Sequence, residues 1–330
     1  MANWPASEIG WRWRRGDTMG RYLITGGAGF IGSNLAHALV QRGESVRILD
    51  DFSSGRAQNL QGIEDRIEVV RGDLCDPEAV RHAVRGVEVI LHQGALNSNP
   101  RSIKEPGPTN AVNITGTLLL LEAARDAKVR RVVYASSSSV YGETPVLPKV
   151  EDLPLLPKAP YGVSKLAAEL YCRVFTDVYG LATVSLRYFN VFGPRQLPDS
   201  EYAAVIPRFL RRMLKGERPV IFGDGEQSRD FTAVANVVQA NLLAAESPRG
   251  IGDVFNVACE QSSTLNHLVE SLNAELGTNL PPIHEAPRPA DIRHSYASIR
   301  KAGEILGYRP QVDLREGLRQ TVAWFKEHEC

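Results

Sequence analysis

The sequence predicts an α/β protein built on a doubly wound parallel sheet, with a smaller mixed α/β lobe attached. Three observations carry that prediction. From residue 21 to 189, short β-rich runs alternate with helical stretches, which is the rhythm of right-handed βαβ units. Most of these runs are nearly continuous in apolar residues, as expected of strands covered on both faces of a parallel sheet. The first run passes directly into a glycine-rich turn and a helix, the entry of a Rossmann-type unit.

The elements follow in order. RYLIT (21–25) is the first strand. The helix after the glycine turn runs to about Arg42 and stops at Gly43. SVRILD (45–50) and IEVVRGD (67–73) are the second and third strands. Pro77 belongs in the first turn of a helix, where its missing N–H costs nothing. VEVILH (87–92) is the fourth strand, and a helix covers roughly Thr109–Lys128. RRVVYASS (130–137) is the fifth strand, a helix spans about Tyr161–Tyr179 up to Gly180, and ATVSLRYF (182–189) is the sixth strand. After residue 190 proline and glycine become frequent and the smaller lobe begins. Two elements are expected to return to the first domain: FTAVANVVQANLLAAES (231–247), read as helix, and DVFNVA (253–258), read as a buried strand. The last helix opens at Asp313 with Glu316 three residues on, a capping-box arrangement. The chain contains no internal repeat or low-complexity tract.

Composition narrows the function. Of 330 residues, 43% are apolar and 23% charged, ordinary for a globular chain. Lys plus Arg and Asp plus Glu both total 38, so there is no basic surplus to grip nucleic acid. No apolar run reaches membrane-spanning length. Cysteines 75, 172, 259 and 330 have neither disulfide-scaffold nor zinc spacing, and the seven histidines form no metal pattern. Residues 1–18 crowd three Trp and three Arg but hold no signal-peptide core, so the segment reads as an N-terminal arm. These features point to a reduced cytoplasm, without metal, membrane or nucleic-acid partner.

The chemistry begins at TGGAGFIG (25–32). Gly26, Gly29 and Gly32 recur at three-residue spacing before a helix, where free N–H groups and the helix dipole accept a pyrophosphate. Asp50 ends the second strand 21 residues past Gly29, placed to accept ribose hydroxyls. An acid there repels a 2′-phosphate, which favours NAD over NADP. Asp73, after the third strand, is either an adenine contact or a cap. A serine cluster, SSSSVYG (136–142), ends the fifth strand, where ligands of open parallel sheets bind. In YGVSK (161–165), Tyr161 and Lys165 share a helix face. A cation beside a phenol favours the phenolate and makes it a general base. His92 reads as a satisfied core histidine.

Together, TGGAGFIG, LDDFSSG, SSSSVYG, YGVSK and RYFNVFGPRQ resemble the extended short-chain dehydrogenase/reductase family, and within it the nucleotide-sugar epimerases, over residues 20 to about 328. The resemblance implies tightly bound NAD, a UDP-sugar substrate and a catalytic triad of Ser137, Tyr161 and Lys165. It implies a cofactor site drawing also on Phe30, Ile31, Asp51, Ser54, Gly55, Leu74, Gln93, Ala95, Asn113 and Tyr188. At the substrate it implies Asn97, Ser138, Ser139, Asn190, Gln196, Ala204, Val205, Arg229, Arg288, Asp291 and Ser295. Arg229 and Arg288 would hold the diphosphate and Asp291 the uridine ribose. The domains expected are 19–189 with about 231–260 for NAD, and about 190–230 with 261–330 for the nucleotide sugar. Related dehydratases and decarboxylases carry acids at the positions of Ser138 and Ser139, and elimination needs such a pair, so C4 epimerisation is the expected chemistry. Ser295 stands where glucose-selective relatives carry tyrosine, which leaves room for an N-acetyl group. PRSIKEP, NAVNITGT, YAAVIP, GDGEQSRDF and DIRHS lean the same way. Asn97 departs from that subgroup and keeps UDP-glucuronic acid open. A non-catalytic NAD-binding regulator and a 4-ketosugar reductase are the competing classes; the intact triad opposes the first and Asp50 the second. Ser298 replaces a family Asp as a helix cap. TLLLLEAARDA (117–127) is apolar on more than one stripe, and the family dimerises through this helix and the one bearing Tyr161, so a homodimer is expected.

Overall fold

The computed structural model describes residues 21–196, 204–287 and 293–328. The N-terminal arm, Arg288, Asp291 and Cys330 lie outside the described residues. In chain order the main elements are β1 (Arg21–Thr25), α1 (Phe30–Gln41), β2 (Ser45–Asp50), β3 (Ile67–Arg71), α2 (Pro77–Val84), β4 (Val89–His92) and α3 (Thr117–Asp126). There follow β5 (Arg131–Ser137), α4 (Pro160–Tyr179), β6 (Thr183–Tyr188), α5 (Val205–Met213), α6 (Val234–Glu246), β7 (Val254–Val257), α7 (Leu265–Leu276), α8 (Arg300–Leu306) and α9 (Leu314–His328).

The seven strands form one parallel sheet in the order β7-β6-β5-β4-β1-β2-β3. The chain winds outward from β1 to β3, then crosses back to β4 on the other side of β1. That reversal places a crevice at the C-terminal ends of β1 and β4, where ligands of such sheets bind. Successive strand residues face opposite layers, as the two-residue period requires. Ile24, Ile48, Leu91, Val133, Leu186 and Phe255 pack under α1, α6 and α8. Leu23, Leu49, Ile90, Val132 and Tyr134 pack under α2, α3 and α4. Fully burying one such leucine or isoleucine contributes about 1.5–3 kcal/mol. A separate core of Phe192, Phe209, Leu268, Leu318 and Phe325 joins α5, α7 and α9 in the smaller lobe.

Several expectations change. β3 is an edge strand with Glu68 and Val69 exposed, so it is not covered on both faces. The helix expected over Thr109–Lys128 is interrupted: Pro106–Asn110 is α-helical, Ala111–Gly116 is a π-helical turn, and α3 follows. Thr232–Ala233 pairs with Val191–Phe192 as short parallel strands before α6 begins. That pairing comes from a distant segment, which local helical periodicity does not encode. At α9 the Asp313 carboxylate accepts the Glu316 N–H at 2.8 Å, but the Glu316 carboxylate turns to Arg319 and Gln320. Only half of the capping box forms. Pro77 does sit in the first turn of α2, beneath an Asp76 cap.

Candidate active site

The glycine turn is as tight as its sequence implied. Gly26 is left-handed (φ 65°), and a Cβ there would lie 2.7 Å from the Gly94 Cα. A Cβ on Gly32 would lie 2.1 Å from the Gly26 carbonyl oxygen. Gly29 caps α1 without a side-chain hydrogen bond, so the first-turn N–H groups, near Phe30 and Ile31, remain for an anion. Asp50 is buried and accepts the N–H groups of Ala28 and Phe52, both at 2.8 Å. Burial raises its carboxyl, and the two N–H bonds oppose that shift. Asp50 therefore braces the turn. Gly55 closes against it, while Asp51 and Ser54 are exposed at the rim. Asp73 accepts the Cys75 N–H at 2.8 Å, so its carboxylate forms a local turn. Leu74 packs under Gly94 and Gly116.

At the other side of the crevice, β5 and α4 bring the triad together. Tyr161 opens α4 and Lys165 follows one turn on, with its Nζ 5.9 Å from the phenol ring centre. That ammonium donates to the Ala135 carbonyl at 2.8 Å, which ties α4 to the strand carrying Ser137. The Ser137 hydroxyl accepts the Ser139 N–H at 3.1 Å, and its polarity pulls the Tyr161 phenol down. Ser138 and Ser139 are half-buried beside it. The electrostatics differ from the expectation. Burial holds the Tyr161 phenol above its ordinary value, and the Ser137 hydroxyl only partly offsets that. Burial lowers the Lys165 ammonium to about 7. Desolvation is the larger influence on both groups.

Between these halves, Gln93 and Tyr188 meet. The Gln93 amide donates to the Tyr188 hydroxyl at 3.2 Å and to Asn241 Oδ1 at 3.1 Å, and Asn241 Nδ2 donates to that hydroxyl at 2.8 Å. Asn113 behaves otherwise than expected of a cofactor ligand. Its amide accepts the Leu96 N–H at 2.8 Å and donates to the Leu96 carbonyl and to Ser164 Oγ. It splints the segment carrying Ala95 and Asn97, of which Ala95 is half-buried and Asn97 exposed. His92 is 1% exposed, bonded to Thr25 Oγ1 at 2.6 Å and Thr117 Oγ1 at 2.9 Å, and burial lowers it to about 3. It is the neutral core histidine expected.

The smaller lobe supplies the facing wall. Ser228–Arg229, Ser263–Thr264 and His294–Ser295 form a three-stranded sheet in which Arg229 pairs with Ser295. Arg229 Nη1 donates to the Ser228 carbonyl at 2.9 Å, and Ser295 is 6% exposed. Asp230 is buried and accepts the Cys259 N–H at 2.8 Å and the Ala297 N–H at 3.4 Å. Burial raises its carboxyl to about 6. Asn190, at φ 33°, donates to the Asp230 carbonyl at 3.2 Å. Gln196 Nε2 donates to the Val191 carbonyl at 2.9 Å. Ala204 and Val205 open α5. Ser298 is not the cap expected: Ile299 stands at the N-cap of α8, and the Ser298 hydroxyl donates to Glu260 at 3.0 Å. A cavity of ≈440 Å³ lies at the first turn of α4, between Pro106, Pro157 and Val163, and no triad residue lines it. No cluster of metal ligands occurs among the described residues.

Residues 22–258 match the sequence model of the NAD dependent epimerase/dehydratase family. The chain belongs to that family. A UDP-glucose 4-epimerase of Mycolicibacterium smegmatis is 40% identical over 310 residues, covering 93% of this chain and 98% of the relative. The structure of the UDP-N-acetylglucosamine 4-epimerase from Methanobrevibacter ruminantium M1, in complex with UDP-N-acetylmuramic acid, superposes with a TM-score of 0.89 at 41% identity, over 93% of this chain and 98% of that one. The UDP-glucuronic acid 4-epimerase from Bacillus cereus, with UDP-glucuronic acid and NAD, gives 0.86 at 32% identity over 93% and 99%. NAD is the family's cofactor, and the glycine turn, with no room for a Cβ, and the buried Asp50 fit it.

In this epimerase-family chain, sequence reading passed over one group of residues. Glu169 on α4 and Arg187 on β6 form a bidentate pair at 2.6 and 3.1 Å, with side chains 9% and 2% exposed. Arg187 Nη1 also donates to the Tyr141 hydroxyl at 2.8 Å, which donates to Asn256 Oδ1 at 2.7 Å. Lys149, also buried, donates to the Gly142 carbonyl at 3.2 Å. The available signal was an arginine inside an otherwise uncharged strand and a glutamate one turn past Lys165.

Proposed function

We propose that the protein is an NAD-dependent UDP-sugar 4-epimerase whose preferred pair is UDP-N-acetylglucosamine and UDP-N-acetylgalactosamine. The observation that carries the reading is the convergence of Ser137, Tyr161 and Lys165 at the β5 end, with serine rather than acid at positions 138 and 139. Bound NAD supplies the acceptor, and later the donor, of the hydrogen on C4. Tyr161 removes the O4 proton, Ser137 holds that oxygen, and Lys165 fixes α4 against β5. Arg229 retains the diphosphate while the 4-keto sugar turns its other face inward, and Tyr161 returns the proton to O4. The buried Ser295 beside Arg229 leaves space at C2 for the N-acetyl group.

The test offers UDP-N-acetylglucosamine, UDP-glucose and UDP-glucuronic acid separately, without added reductant, and resolves C4 epimers by NMR. The N-acetyl sugar should convert roughly 10-fold faster than the others. Substituting Ser295→Tyr should remove that advantage while glucose turnover persists. Faster conversion of the glucuronic acid would shift the specificity to Asn97. No epimer from any of the three, with NAD bound, overturns the function.

The assembly proposed is a homodimer. Val163, Leu170, Val174 and Val178 line the outer face of α4 at helical spacing and are 47–66% exposed. The second apolar stripe of α3 adds half-buried Leu118 and Leu119 nearby. A second copy of this surface is its natural cover. Sedimentation should give the dimer mass at micromolar concentration, and a monomer there refutes it.

A further inference from the structure

The catalytic serine and tyrosine sit on different elements, β5 and α4, and the separation between those elements decides whether they meet. Two side chains of α4, one turn apart, reach the end of β5. Lys165 Nζ takes the Ala135 carbonyl at 2.8 Å. Glu169 Oε2 takes the Ser136 hydroxyl at 2.8 Å. Glu169 is itself held by both arms of Arg187 from β6, the next strand. Arg187 continues to Tyr141 and to the Glu151 carbonyl at 3.1 Å, so the turn following the serine cluster is fastened to the same guanidinium. Ser136, Tyr141, Glu169 and Arg187 are all buried.

We propose that Glu169 and Arg187 are positioning residues for the epimerisation site, acting through Ser136 to set Ser137 against the Tyr161 phenol. The inference rests on the reading of Tyr161 as the base. A buried ion pair is weak support for stability alone, since apolar replacements often serve as well. Here the carboxylate has a third partner on the catalytic strand, which an apolar pair would abandon. Each contact has fixed direction, and small misplacements of reacting groups carry large rate penalties.

Glu169→Gln leaves Arg187 buried without its counter-charge and risks unfolding. The informative variant is therefore Ser136→Ala, which keeps the ion pair and deletes only its link to the strand. The groups facing Tyr161 are Lys165 from its own helix and Ser137 and Tyr134 from β5. Of these, the Ser137 hydroxyl lowers the phenol, so a displaced Ser137 moves the acid limb of the kcat–pH profile upward. For Ser136→Ala we expect kcat to fall about tenfold and the acid limb to rise by about half a pH unit. Bound NAD and KM for the UDP-sugar should stay as in the unaltered protein. An unchanged profile, or a fall in kcat without movement of the acid limb, overturns the positioning role. Inactivity of the unaltered protein on every UDP-sugar would instead refute the functional reading beneath it.

Discussion

The two walls of the crevice hold their arginines in opposite ways. On the sheet side, Arg187 is clamped by Glu169 with both side chains nearly inaccessible. On the lobe side, Arg293 meets Asp224 at 2.8 Å with side chains 59% and 52% exposed, and the local sheet is made of two-residue strands. Removing one partner of a buried pair costs about 3–5 kcal/mol, whereas exposed pairs are screened by water and contribute little. The sheet side is thus built to hold atoms still and the lobe side to change at low cost. Under the proposed function, chemistry common to many sugars would fall on the first and the choice among sugars on the second.

The sharpest way to break that contrast is at the base. Tyr161→Phe should reduce kcat by about 10²–10⁴ while leaving bound NAD and sugar affinity intact, as read by epimer formation and nucleotide content. A smaller loss would mean that the proton leaves by another route. Next comes the opposite wall: Arg229→Ala should raise KM by roughly 10- to 100-fold, the worth of a charge-assisted hydrogen bond, with little change in kcat. If kcat fell instead and KM held, the lobe would share in the chemistry and the division would fail.

The smallest effect lies in stability against pH, and it has opposite sign on the two walls. His92 is lowered from 6.5 to about 3 in the fold. Its contribution is complete above about pH 6.5 and is lost as pH falls towards 3. Asp230 is raised from 3.8 to about 6. Its contribution is present below about 3.8 and is lost as pH rises through 6. Melting temperatures should therefore show a steeper acid limb that His92→Gln flattens. Asp230→Asn should flatten the opposite slope between pH 3.8 and 6. Parallel curves for either variant would mean that the group is solvated in the folded protein.

The sheet was legible because burial on both faces writes itself as unbroken apolar runs, and β1, β2 and β4 to β6 fall within a residue or two of their expected limits. β3 was legible as a strand but not as an edge, since exposure depends on what fails to cover it. The helix break at Ala111–Gly116 was hidden because its weak helix formers, Val112 to Gly116, also occur in unbroken helices, and the bulge goes with tertiary contacts of Gly116 on Leu74 and of Asn113 on Leu96. Tyr161 and Lys165 could be paired from spacing alone. The direction of their ionisation could not, because desolvation is a property of the surrounding packing. Arg187 was visible as a charge in a buried strand, but its partner on α4 is 18 residues away and appears only once helix and strand are docked.

β7 reaches the sheet only after the chain has left for the smaller lobe and returned, and it pairs with β6 along Val254–Val257. The nucleotide-binding half is therefore not a severable piece. A fragment ending at Tyr188 would expose β6, six buried residues long, as an open edge offering its backbone to any neighbouring chain. The return of the chain closes that edge, and with α7 and α9 in the lobe core and α8 back on the sheet the two lobes are joined by five crossings rather than one.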